Sequence, residues 1–258
     1  MSNSGDAETT PKWIAKLLRF TAFLSDSIEP PSLQSWWSKV SNLPKSDQLV
    51  RQQGQFHEIG QIGEETLALQ WQAGRVDWLL INSNESQSGE VTAWKDSIEK
   101  FSSIADQYLK LAECPSSIRI AVGCVVEVPV SNRKAGYEII KELVKGYVKL
   151  DVEGSSDFIY QINRKRKSQV KDGLGINRVA KWLVPVEIPM SVQLPILPFG
   201  NIKSLSATEG KPRFAARQEF DINTAQENTE LLNPELQKNL VKELLGFVEE
   251  MILHGDIV

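Results

Sequence analysis

The chain of 258 residues is 41% hydrophobic and 24% charged, with a net charge of −4, the balance of a packed globular protein rather than a disordered one. This acidity argues against a protein that coats nucleic acid or an anionic membrane with its whole surface. The longest apolar run, Ile118 to Val130, is broken by Arg119 and Glu127 and is too short to span a bilayer. No membrane contact is expected.

The opening MSNSGDAETT lacks the basic start and apolar core of a signal peptide. Residues 1–11 are therefore expected to be a disordered tail, and the compartment the cytoplasm. The two cysteines, Cys114 and Cys124, make no disulfide framework.

WIAKLLRFTAFL, residues 13–24, fits a strand or a strand that enters a helix. After the Pro30–Pro31 break, Ser32 is placed to cap a short helix carrying Leu33, Trp36, Trp37 and Val40. FHEIGQI, TLALQW and RVDWLLI alternate as three strands, the last two joined at Ala73–Gly74. From Val91 to Leu111, apolar residues recur at helical spacing.

SIRIAVGCVVEVPV then gives a strand whose near-continuous apolar run predicts a central, doubly covered position. Tyr137, Ile140, Leu143, Val144, Tyr147 and Val148 mark another amphipathic helix. DFIYQINRKRK, RVAKWLVPVEIPMSVQLPI and FAARQEFDINT supply further strands, and Pro185 and Pro189 confine part of the middle one to an edge or bulge. A long helix closes the chain, with Asn233 as cap, Pro234 as first residue and Gly255 as stop.

The element order strand, helix, strands, long helix occurs twice. The expected fold is α+β: two similar halves, residues 12–112 and 113–258, each an antiparallel sheet with helices, related by internal duplication. The segments WKDSIEKF, SSIRIAVG, DFIYQINRKRKS, GINRVAKW and EFDINT resemble a sporadically distributed bacterial family of uncharacterised proteins of about this size. The resemblance implies a bacterial cytosolic setting and carries over no activity or catalytic residue.

The chemistry-bearing residues are sparse. With His57 and His254 the only histidines, and no CxxC, HxxxH or HExxH, zinc-ligand spacing is missing. GxSxG, Walker and dinucleotide fingerprints are missing too, and Gly173–Leu174–Gly175 fits a turn. No catalytic residue, metal site or cofactor is assigned. Asp77, which interrupts RVDWLLI, has three readings: a buried acid, a metal ligand, or the salt-bridge partner of Arg75. Asp221 is expected at a strand end, bonding turn amides.

Two local anomalies remain. Adjacent Trp36 and Trp37 cannot both point inward from one helix, which marks them as partner-binding candidates unless another element covers them. The basic run Arg164, Lys165, Arg166, Lys167, with Lys171, is the nucleic-acid-binding candidate. The core cannot accept unpaired arginines, so this run is expected to project into solvent, with a plain solvated loop as the alternative. The expected function is a non-enzymatic binding or regulatory module acting through a protein partner, self-association or a nucleic acid. The alternative is a carboxylate- or metal-dependent hydrolase or nuclease built on Asp77 or Asp221.

Overall fold

The computed structural model describes residues 11–25, 36–72, 74–82, 93–188, 190–193, 206–228 and 230–257. Residues 1–10 of the expected tail, the Ser32 cap, Val91 and Pro189 lie outside them.

In chain order the elements are β1 (Ile14–Leu24), α1 (Trp36–Ser41), β2 (Gln48–Gln52), β3 (Gln55–Ile62), β4 (Glu65–Gln72), β5 (Arg75–Ile81) and α2 (Trp94–Leu109). They continue with β6 (Ser117–Val130), α3 (Arg133–Val144), β7 (Ile159–Asn163), β8 (Arg166–Lys167), β9 (Gly175–Leu183) and β10 (Val186–Glu187). β11 (Met190–Gln193), β12 (Ser206–Glu209), β13 (Arg213–Thr224) and α4 (Pro234–His254) complete them.

The expectation of two halves, each with its own sheet, is overturned. The strands form one 11-stranded antiparallel sheet in the order β2-β3-β4-β5-β1-β6-β13-β9-β7, with β10 paired to β13 and β8 to β9. β1 and β6 pair from Ile14↔Glu127 to Leu24↔Ser117, so the residue 112/113 boundary falls between two adjacent strands of a continuous sheet. The physical reason is edge satisfaction. Each long apolar strand would expose a row of backbone donors and acceptors if its half stood alone, and each supplies the other's missing partner. Only β11 and β12 form a separate two-stranded ribbon among the described residues.

The segment from Arg178 to Ile196, expected as one strand, holds the end of β9, then β10 and β11. Val184–Pro185 separates β9 from β10, because proline cannot donate to a ladder. β2 has no counterpart in the sequence reading. Its pattern QLVRQ neither alternates nor clusters strongly enough to stand out.

The helices pack on one face of the sheet. α2 contacts α4 and β1, while α4 contacts β6 and β13. α3 joins α4 where the Asp256 N–H donates to the Leu143 carbonyl at 2.9 Å. α4 starts as its sequence indicates, its Asn233 side chain accepting from the Leu236 N–H at 2.9 Å. Its buried set includes Leu240, Leu244, Val248, Met251 and Ile252, and it packs on β6 and β13, where Val122, Phe220 and Ile222 are buried.

Candidate partner-binding surface

Both indoles of the Trp36–Trp37 pair are buried, at 1% and 0% exposure, so of the two expected outcomes, exposure or cover by another element, the structure shows cover. Helix α1 is short and has α2 on one side and strands β3 and β4 on another, so neighbouring side chains find different covers. Trp36 meets the Tyr108 ring edge-on at 5.5 Å. Trp37 donates from Nε1 to the Leu67 carbonyl at 3.2 Å. It crosses β3 where Gly60 lacks a side chain; a Cβ there would lie 2.6 Å from the indole.

The basic run divides by strand parity instead of projecting as a unit. Tyr160, Ile162, Arg164 and Arg166 continue one face, which turns beneath α4 and its C-terminal end. Arg164 donates from Nε and Nη2 to Asp256 at 2.9 and 2.8 Å. The Asp256 carboxylate is fully buried and also accepts from the Tyr160 hydroxyl at 2.8 Å. Burial, then this bond, push the Tyr160 hydroxyl above its ordinary pKa. The Arg164 guanidinium also lies 4.1 Å from the Tyr147 ring centre.

Arg166 pairs with Glu250 at 3.7 Å, and Lys171 with Glu230 at 2.5 Å. Lys165 and Lys167 are the exposed remainder. Arg178, wholly buried on β9, lies 5.3 Å from the Phe247 ring centre and donates to the Ile257 carbonyl at 3.2 Å. Burial lowers its pKa. The acids that receive these arginines sit on and after α4, far along the chain, which is why the run alone suggested solvent.

Neither candidate acid is free. Asp77, at 2% exposure, is a buried acid and also the salt-bridge partner of Arg75, accepting from Arg75 Nη2 at 2.8 Å and Thr21 Oγ1 at 2.5 Å. Asp221 lies within β13 rather than at its end, with Arg19 at 3.7 Å and Asn223 Nδ2 donating at 3.1 Å. Among the described residues no three His, Cys, Asp or Glu side chains gather as metal ligands do. Burial pushes the Cys114 thiol up to about 12 and raises Cys124 as well. At neutral pH neither is a ready thiolate nucleophile. His57 lies on the side of the sheet away from the helices, with β4, β5 and β1 between its strand and Cys124 on β6.

That helix-free side is a surface the sequence alone did not single out. Arg19, Gly123, Asp221, Val179 and Asn163 stand side by side across β1, β6, β13, β9 and β7. The next row holds Leu17, Val125, Glu219, Lys181 and Gln161. Gly123 leaves a notch that the Arg19 guanidinium fills, since a Cβ there would lie 3.3 Å from Arg19 Nε. Lys181 pairs with Glu219 at 3.0 Å, and Arg217 with Glu127 and with Glu187, the latter at 2.9 Å. A shallow cleft of about 300 Å³ opens among Leu17, Arg19, Gly123, Gln161, Lys181 and Asp221.

The signal for this side was present in the alternation of GINRVAKWL and RFAARQEFDINT, where Asn177 and Lys181, then Arg217, Glu219, Asp221 and Asn223, fall on one face. What the alternation could not show is that the cations of one strand meet the anions of the next. No helix among the described residues is long and apolar enough to cross a membrane. Comparison with protein-family models, with curated proteins and with solved structures gives no match.

Proposed function

We propose that the protein is a non-enzymatic binding module of a bacterial cytosol that engages a protein partner through the helix-free side of its sheet. The observation that carries this reading is the paired, mixed-sign charge of that side: Arg19 with Asp221, Lys181 with Glu219, and Arg217 with Glu127. A polyanion needs a field of one sign, whereas alternating signs suit a polypeptide surface with its own mixture of charges. The pairing of Arg164, Arg166 and Lys171 with acids of the same chain supports the same choice. The cytosolic setting rests on the chain's composition and its two unpaired cysteines.

The test places a photo-crosslinking residue at Gln161 or Lys181 in the native cell, with Glu249 on α4 as the control position. A discrete polypeptide adduct is expected from the two sheet positions and not from Glu249, and it is lost when Asp221→Lys reverses the central pair. Adducts to nucleic acid alone, equal labelling at Glu249, or no adduct from the sheet positions overturns the reading.

A further inference from the structure

We infer that β2 is a self-association edge, at which two copies of this chain join antiparallel about a two-fold axis through Val50. The inference concerns a different part of the molecule from the partner-binding side and stands independently of it. β2 ends the sheet, and among the described residues no strand pairs with its outer side. All of its residues are exposed, with Leu49 at 44% and Val50 at 48%. Edge strands are normally blunted by lysine, proline or a covering element. The opposite edge follows that rule, since β7 runs directly into Arg164–Lys167 with Lys165 and Lys167 exposed. In β2 the only charge is Arg51.

Antiparallel pairing fixes what a second copy would meet. The turn Gln53–Gly54 makes Gln52 and Gln55 the closing pair of the β2–β3 hairpin. Residues 49 and 51 therefore turn their N–H and C=O outward, because ladder bonds alternate sides. A two-fold axis at Val50 sets each outward-facing Leu49 against the other copy's Arg51. Val50 meets Val50, and Gln48 meets Gln52. No like charges oppose each other, and the contact is isologous, as a dimer requires.

A second observation points to the same occupant. Glu58 sits beside Leu49 on β3, is only 4% exposed, and uses Oε1 to accept from Ser46 at 2.8 Å. Its other oxygen, Oε2, is buried without a hydrogen-bond partner among the described residues. Burial raises its pKa. Within one chain Arg51 rests against the Phe56 ring, 5.4 Å from its centre, and its charge offsets part of the burial of Glu58. In the two-fold register the other copy's Arg51 stands two strands from Glu58, about 10 Å between Cα atoms, within the joint reach of the two side chains. Each copy thus adds a second cation near an acid whose Oε2 has no hydrogen-bond partner among the described residues of its own chain.

The contact is small, so the test follows mass by light scattering from about 10 μM to about 1 mM, the range of weak dimers. The full chain is expected to double its mass across that range. Val50→Lys and Val50→Glu, both at an exposed position, should each remain monomeric, because each sets like charges face to face. Mixing the two variants in equal amounts should restore the dimer, and this rescue shows that both variants are folded. A full chain that stays monomeric at 1 mM overturns the inference. So does a Val50→Lys variant that still dimerises, or a mixture that does not.

Discussion

The two ends of the helix-covered core are closed by different chemistry. Around α2 the closure is aromatic, with the rings of Phe20, Trp36 and Trp78 lying 6.0, 5.5 and 5.7 Å from that of Tyr108. Beneath the end of α4 it is ionic, with Asp256 holding Arg164 and Tyr160 while Arg166 and Arg178 flank Phe247. Each region contains a feature that stood out in the sequence as a potential binding site, the Trp36–Trp37 pair in one and the basic run in the other. The two tryptophans are packed inside, and Arg164 and Arg166 pair with acids of the same chain, while Lys165 and Lys167 stay exposed. The lesson lies in how each region should fail: an aromatic core loses contact volume, whereas an ionic one is left with a stranded charge.

The largest effect is expected at Trp37. Trp37→Ala removes a fully buried indole and its hydrogen bond to the Leu67 carbonyl, which should cost about 3–5 kcal/mol in a denaturant titration. Gly60→Ala should also destabilise, because its new methyl meets the indole. In the Trp37→Ala background its cost should shrink, since the methyl then enters vacated space. Additive costs would show that Gly60 is not there to admit the indole.

Asp256→Asn comes next. It keeps the volume and removes the charge that faces Arg164, so an aromatic-style account forecasts little change. The ionic account forecasts a loss of about 2–3 kcal/mol, because the guanidinium beneath α4 loses its counter-charge. A denaturation midpoint that moves by less than a third of the Trp37→Ala shift, with unchanged slope, would erase the contrast between the regions.

Glu58→Gln should act more weakly and in the opposite direction. Burial raises the Glu58 pKa from its ordinary 4.5, so the folded chain holds this proton more tightly than the unfolded chain does. The ionised carboxylate therefore subtracts stability once the pH climbs past that ordinary value, and subtracts nothing well below it. Glu58→Gln is expected to stabilise the monomer slightly at pH 7 and to leave it unchanged near pH 3. Destabilisation at pH 7 would mean that the Ser46 hydrogen bond outweighs the burial of the charge.

Most strands and the three longer helices were legible because they follow from local periodicity: SIRIAVGCVVEVPV reads as central and doubly covered and is central, though helices cover only one of its faces, and Asn233–Pro234 starts the last helix as expected. The pairing of β1 with β6 was not legible, since both are apolar runs that would suit any interior neighbour. The same limit hid the arrangement of the helix-free side. Arg19 and Asp221 become neighbours only once Gly123 stands between their strands. The fate of Arg164 depended on Asp256, which in sequence is an ordinary acid after a helix stop.

The smallest effect is expected at Lys165 and Lys167, the exposed members of the basic run. Changing both to Ala should leave the denaturation midpoint where it is, because neither makes a buried contact and exposed charges contribute little. It should also leave duplex DNA binding at low salt unmeasurable, as in the unaltered chain. If the unaltered chain binds instead, its log K should fall with log salt, and removing two phosphate contacts should flatten that slope by about 1.8. That outcome would return the nucleic-acid reading to the basic run, carried by its two solvent-facing lysines alone. Extending the change to Arg164 offers no cleaner test, because Arg164 holds Asp256, and a loss of binding could not then be separated from a loss of fold.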